Sequence, residues 1–128
     1  MKDYAAEYNA IVATMQRYFE GGRAGKSDLM RVAFHPDATI VGYCGGSLLT
    51  GPIQQLFAWI DGNGPAPDID PCIVSIEVIQ SVAVVRVEVA HWSGKLAGAE
   101  ARMSDAFTLL KTEAGWKISS KTFHWHTL

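Results

Sequence analysis

The sequence predicts an α+β fold in which N-terminal helices pack on a curved, mostly antiparallel sheet. Three observations lead there. Apolar residues recur at helical spacing near the N-terminus: Ala6, Ile11, Met15, Tyr18 and Phe19. Two β-branched runs, CIVSIEVI and VAVVRVEVAHW, follow a turn-rich GNGPAPDIDP loop. Helices come first and strands afterwards, without the strand–helix alternation of a wound parallel sheet.

Element by element, the helical spacing gives a first helix over roughly residues 3–21, which Gly21-Gly22 is expected to end. A short second helix starts at Lys26 or Ser27, with Leu29, Met30, Val32 and Ala33 inward; Ser27 and Asp28 suit its first turn. It must stop near Phe34, because the residue before Pro36 is pushed out of the α region. Ala38 to Tyr43 reads as a strand. Gly51-Pro52 opens a third helix, Ile53 to Asp61, with proline where a missing N–H costs nothing. The two β-branched runs form a hairpin at Gln80-Ser81. A glycine-containing loop, SGKLAGAE, leads to the strand MSDAFTLLK, and the turn TEAG leads to the last strand, WKISSKTFHWH. The order is α-α-β-α-β-β-β-β, with neither repeats nor a linker, so residues 1–128 are expected to form one domain.

Composition narrows the partners. The 128 residues are 48% hydrophobic, enough for a core, and the net charge of -2 gives no basic face for nucleic acid or an anionic membrane. The N-terminus, with Asp3 and Glu7, has no signal-peptide pattern, and the apolar runs are too short to span a bilayer. A cytoplasmic protein is expected. Cys44 and Cys72 match no zinc or redox spacing; two free thiols are the expectation and a disulfide the other reading.

Strand alternation assigns faces. A four-residue TEAG turn pairs Lys111 with Trp116, and even counting then pairs Leu109 with Ile118, Phe107 with Ser120, Asp105 with Thr122 and Met103 with His124. Leu109, Phe107 and Ile118 mark this as the core face, to which Ala83, Val85, Val87, Val89 and His91 would add. Asp105, Thr122, His124 and His91 would then be polar groups converging in an apolar cavity, the description of a small-molecule pocket. Lys121, Phe123 and Trp125 would point outward with Val82, Val84 and Arg86, and exposed aromatics want a cover. A homodimer through the outer sheet face supplies one.

The segments YFEGG (18–22), FHPDA (34–38), SD (104–105), LLK (109–111) and GWKISSKTF (115–123), in this order, resemble the nuclear-transport-factor-2-like superfamily, and within it the lumazine-binding, SnoaL-like branch. The resemblance covers nearly the whole chain. It implies a cone-shaped α+β fold with a pocket between sheet and helices, often dimeric. It implies little about chemistry, since the fold hosts isomerases, dehydratases, cyclases and pure binders. By similarity to the superfamily's ketosteroid isomerases, Tyr18 and Asp105 match the pair that hydrogen-bonds a developing oxyanion. The position of their general base falls on Gly42, which argues against that isomerisation.

The candidate catalytic residues are therefore Asp105, Tyr18 and His124, and the candidate ligand-binding residues are Phe57, Trp59, Val87, His91, Trp116 and Thr122. Asp105 on an apolar wall should hold its proton. Phe57 and Trp59 would shape the pocket mouth. His35-Pro36-Asp37 reads as a joint, with Pro36 stopping a helix and Asp37 making a turn. Three histidines (His91, His124, His126) suit zinc in number, but the resemblance carries no metal, and neither metal nor cofactor is expected. The leading functional reading is a small-molecule-binding protein holding a flat, apolar or heteroaromatic ligand in the cone. The alternative is an isomerase, dehydratase or cyclase acting on a polyketide- or steroid-like substrate through an Asp/Tyr oxyanion hole and a histidine base.

Overall fold

The computed structural model describes residues 3–92 and 101–126. Its elements are α1 (Tyr4–Ala24), α2 (Ser27–Arg31), β1 (Phe34–Cys44), β2 (Ser47–Pro52), α3 (Gln54–Asn63), β3 (Asp70–Ile79), β4 (Val82–Ala90), β5 (Met103–Thr112) and β6 (Gly115–Trp125). The strands form one sheet in the order β2-β1-β6-β5-β4-β3. Every pairing is antiparallel except β1 with β6. The helices cover one face, giving the expected α+β cone. The loop read at 93–100 lies outside the described residues. No described helix is long and apolar enough to cross a membrane.

Helix α1 begins where Asp3 accepts a hydrogen bond from the Ala6 backbone N–H at 3.0 Å. It does not stop at Gly21-Gly22. Those two glycines are buried inside the helix, and Gly21 lies so close to Met30 of α2 that a side chain there would collide with it. The end comes at Gly25, whose φ of 67° is the left-handed cap that glycine adopts without strain. Ile11, Met15, Tyr18 and Phe19 are the buried stripe that α1 turns toward the sheet.

Helix α2 has no cap of its own. Asp61, near the end of α3, accepts from the Ser27 backbone N–H at 2.8 Å and from its hydroxyl at 2.7 Å. These bonds hold the Asp61 carboxyl below the ordinary carboxylate range. An acid whose folded value is depressed stabilises the fold above its unfolded value and loses that contribution as pH falls through the folded value. Asp61→Ala should therefore lower stability near neutral pH, and the gap from wild type should close on acidification. Thermal melts of both proteins across the acid range check this; a gap independent of pH would mean that the carboxylate charge is not what holds α2.

The strand β2 does not appear in the sequence reading. SLLTGP contains Gly and Pro and alternates weakly, yet it pairs with β1 from Thr39–Pro52 to Cys44–Ser47. Pro52 is tolerated because β2 is an edge strand. Cys44 and Cys72 are free thiols on strands near opposite sides of the sheet, which removes the disulfide reading.

One bulge changes which face carries what. Lys111–Trp116 and Leu109–Ile118 pair as counted, but Thr108 pairs with Ser120, so Ser119 is an extra residue on β6. Beyond it every face is exchanged: Phe107 meets Lys121, Asp105 meets Phe123 and Met103 meets Trp125. Lys121, Phe123 and Trp125 thus point into the core, whereas Thr122 and His124 stand exposed on the outer face. The bulge is held by Thr108, whose hydroxyl lies 2.9 Å from that of Ser119 and 2.6 Å from that of Ser120. His91 is the second reversal. Its φ of 59° breaks the alternation of β4, leaving His91 exposed and turning Trp92 inward.

Candidate functional site

On the covered face of the sheet, Ile40 and Leu49 from β1 and β2, Gln55, Leu56 and Trp59 from α3, and Trp92, Met103, Lys121, Phe123 and Trp125 line a pocket of about 110 Å³. The lining is almost wholly apolar, and its aromatic rings brace one another. Trp59 sits edge-on to Trp125 at 5.9 Å and lies 6.4 Å from Trp92. The volume suits a ligand of about one ring, by comparison with a ~150 Å³ engineered apolar cavity that takes up benzene.

Lys121 is the polar exception. Only 2% of its surface is exposed, and its Nζ donates a hydrogen bond to the Tyr18 hydroxyl at 2.6 Å. Three rings surround the same nitrogen: Tyr18 and Trp92 at 5.2 Å from their centroids and Phe123 at 5.4 Å. A cationic ligand gains little here, because the protein's own amine already occupies the aromatic cage. A ligand oxygen, in contrast, would find a donor.

Asp105 is equally buried at 2% exposure, and neither of its carboxylate oxygens has a hydrogen-bond partner among the described residues. Burial drives Asp105, Lys121 and Tyr18 in a common direction, toward their neutral forms. Burial raises the Asp105 carboxyl, with the charge of Glu88 adding and that of Lys121 opposing. Burial lowers the Lys121 amine, with Asp105 and Cys44 opposing. Burial, and then Asp105, push the Tyr18 phenol well above its ordinary value, so it stays protonated. An amine that lines the greasy pocket thus has a phenol bonded to it and a buried carboxyl acting on it from the neighbouring strand. Together they can donate to a carbonyl oxygen, hold a developing oxyanion and move a proton.

Gly42 explains why no base stands at its position. It lies beside Phe123 in the β1–β6 pairing, and a β-carbon there would strike both the Phe123 backbone oxygen and its ring. The aromatic ring occupies the space that a side chain from this point of β1 would need.

Of the residues singled out from sequence, Trp59 lines the pocket wall. Tyr18 is fully buried behind the lining and bonded to Lys121, and Asp105 is buried on the strand next to that lysine; neither lines the pocket itself. Phe57 is buried away from it, edge-on to Phe34 at 5.5 Å and beneath the Arg31 guanidinium at 4.5 Å. Val87 is fully buried opposite Asp105 in the β4–β5 ladder and does not line the pocket. Trp116 is buried toward the other end of β6, where its carbonyl accepts from Thr14. Thr122, His124 and His91 are exposed, for the bulge and the left-handed residue described above. The His124 ring instead lies 4.8 Å from that of His126, whose Nε2 is 2.7 Å from the Ser104 hydroxyl. Among the described residues no cluster of three or more His, Cys, Asp or Glu is placed to hold a metal. His35 sits at the joint as expected for a local role, its Nδ1 accepting from the Asp37 N–H at 3.0 Å.

Sequence reasoning missed Lys121. The available signal was KTFHW, where a lysine shares its period of two with Phe123 and Trp125, an odd partnership for a solvated face.

Residues 6–124 match a family described as "Putative lumazine-binding". The chain belongs to this lumazine-binding family of the nuclear-transport-factor-2-like superfamily. Two solved structures of nuclear-transport-factor-2-like proteins of unknown function are similar throughout. One, from Shewanella baltica OS155, is 35% identical with a TM-score of 0.88, covering 100% of each chain. The other, from Methylobacillus flagellatus KT, is 35% identical with a TM-score of 0.86, covering 95% of this chain and 94% of its own. This member of the lumazine-binding family is also 31% identical over 120 residues to Aldolase FrzH of Cladobotryum sp, covering 94% of this chain and 92% of that protein.

Proposed function

We propose that this protein binds a small, flat, mostly apolar carbonyl compound in the cone, with Tyr18, Asp105 and Lys121 facing the carbonyl oxygen. The observation that carries this reading is the pocket-lining Lys121, bonded to the buried Tyr18 and electrostatically coupled to an Asp105 that has no hydrogen-bond partner among the described residues. Buried polar groups left without partners cost stability, so such a group close behind a cavity wall supports an incoming polar partner.

The same cluster supports turnover. A neutral amine can take the proton next to a carbonyl while the phenol and carboxyl hold the resulting enolate. Lys121 supplies the base that Gly42 lacks, the role earlier given to a histidine. Enolates serve isomerisation, dehydration and aldol reactions alike; the relative named an aldolase favours carbon–carbon bond chemistry. Binding without turnover is the simpler form of the same proposal. The chain is further proposed to act as one domain, in the cytoplasm, as a homodimer through the outer sheet face. Phe123 and Trp125 no longer argue for that interface, but Val41, Tyr43, Val84 and Leu110 stand exposed there. Sedimentation should show a dimer that Tyr43→Glu dissociates; a monomeric wild type would remove the interface.

Acetophenone and ethylbenzene, equal in shape and differing in the carbonyl, test the pocket. Nitrogen-labelled protein should show shifted indole N–H signals for Trp59, Trp92 and Trp125 with either compound, while Trp116 stays still. Acetophenone should bind about tenfold more tightly, the worth of one good hydrogen bond to a buried donor. Equal affinity, or shifts confined to Trp116, would sink the reading.

A further inference from the structure

We propose that Lys121 is a covalent nucleophile, forming an imine with an aldehyde or ketone held in the pocket; this rests on the carbonyl-binding reading above. The geometry has three parts. Lys121 lines the pocket, and its Nζ lies over the rings of Trp92 and Phe123, which line the pocket too. Tyr18 fixes that nitrogen at 2.6 Å, which holds a normally flexible side chain in one orientation. Asp105 lies on the neighbouring strand, with both carboxylate oxygens unpartnered among the described residues.

The chemistry balances with these groups alone. The lone pair of the neutral amine attacks the carbonyl carbon, a C–N bond forms, and the C=O π electrons move to oxygen. That oxygen takes a proton from the Asp105 carboxyl. The nitrogen then gives up a proton to the resulting Asp105 carboxylate, leaving a neutral carbinolamine, and Asp105 passes that proton to the departing hydroxyl. The nitrogen lone pair forms the C=N bond as the C–O bond breaks and water leaves, and the iminium proton returns to the Asp105 carboxylate, giving the imine. No oxidant or reductant is consumed, and water reverses the sequence. A structural reading of Lys121 would need no second proton carrier beside it, and no opening to a cavity.

The amine must be free of its proton for attack, and burial in the apolar pocket favours that form. The titratable groups facing it are Tyr18 from α1, Asp105 from β5 and Cys44 from β1, with Glu88 of β4 acting on Asp105. From α3 come only Gln55, Leu56 and Trp59. The charge of Asp105 opposes the loss of the proton, so Asp105→Asn, which also removes the proton carrier, should slow imine formation overall while moving its pH dependence to lower pH.

The full chain, benzaldehyde and a hydride donor such as cyanoborohydride test the proposal at neutral pH. Reduction should fix one benzyl group, and peptide mapping should place it on Lys121 faster than on Lys26, Lys111 and Lys117, since a lowered pKa raises the free-amine fraction at neutral pH. Lys121→Met should lose this fast label and keep the slow surface ones. Indole shifts with acetophenone, recorded in parallel, separate the two ideas. Binding seen by shifts, with Lys121 labelled no faster than the surface lysines, would overturn the imine and leave the pocket reading intact. No shifts and no fast label would overturn both.

Discussion

Gly42→Ala is expected to destabilise the protein by about 3 kcal/mol, the upper end of what forcing extra atoms into a packed core usually costs. The new β-carbon would meet the backbone oxygen of Phe123 as well as its ring. The ring could turn aside, but the oxygen belongs to a strand paired on both sides, by β1 and β5. Removing the ring should therefore rescue only part of the loss: Gly42→Ala/Phe123→Ala should remain well below Phe123→Ala alone. Urea unfolding of the variants measures both differences. A Gly42→Ala protein within about 1 kcal/mol of wild type would show that β1 and β6 can separate there. The consequence for chemistry is direct. An aspartate placed at residue 42 would add a buried charge to the same collision, so a base cannot be restored there by one substitution, and proton transfer has to start from another wall.

Lys121→Met/Asp105→Val is expected to be more stable than wild type by about 1–4 kcal/mol near neutral pH while losing preferential binding of the carbonyl compound. Replacing buried ionisable groups with apolar ones of similar size is often neutral or stabilising, whereas removing a single partner leaves a buried polar group uncompensated. Each single variant should therefore be less stable than the double. Unfolding curves of the four proteins form the cycle. A double variant less stable than wild type by over 1 kcal/mol would make the cluster a structural network. The pH dependence supplies an independent sign. The folded chain releases the Lys121 proton below the ordinary lysine value of 10.5, because burial disfavours the charge. Between the lowered value and 10.5 the unfolded chain binds more protons, so stability rises with pH through that window. Lys121→Met removes this rise. The raised Tyr18 phenol works oppositely, but only above its ordinary value of 10.0, where the unfolded chain begins to ionise first.

Much of the architecture was legible. Helical spacing placed α1, β-branched alternation placed β3 and β4, and the TEAG turn set the first two pairs of the last hairpin correctly. What failed did so through single residues. Ser119 adds one residue to β6, and one residue exchanges both faces of everything beyond it; so Lys121 went unseen, and Thr122 and His124 were turned inward. The change of parity between Trp116-Ile118 and Phe123-Trp125 was present in the string as two apolar alternations out of phase. Reading them as one strand with a bulge needs a partner strand, and Thr108, eleven residues away, is that partner. β2 was lost because an edge strand can carry Gly and Pro and needs only one neighbour.

The sequence by itself determined the helices-then-strands order, the membership of the superfamily and the absence of a base at residue 42, because period, turn chemistry and residue identity are local properties of the chain. Tertiary structure alone decided that Lys121, from β6, meets Tyr18 of α1 across 103 positions of sequence, and that Asp105 is buried on the next strand without a hydrogen-bond partner among the described residues. Long-range pairing and burial set those facts together, and burial is what moves the lysine amine and the aspartate carboxyl toward their neutral forms and keeps the tyrosine phenol protonated.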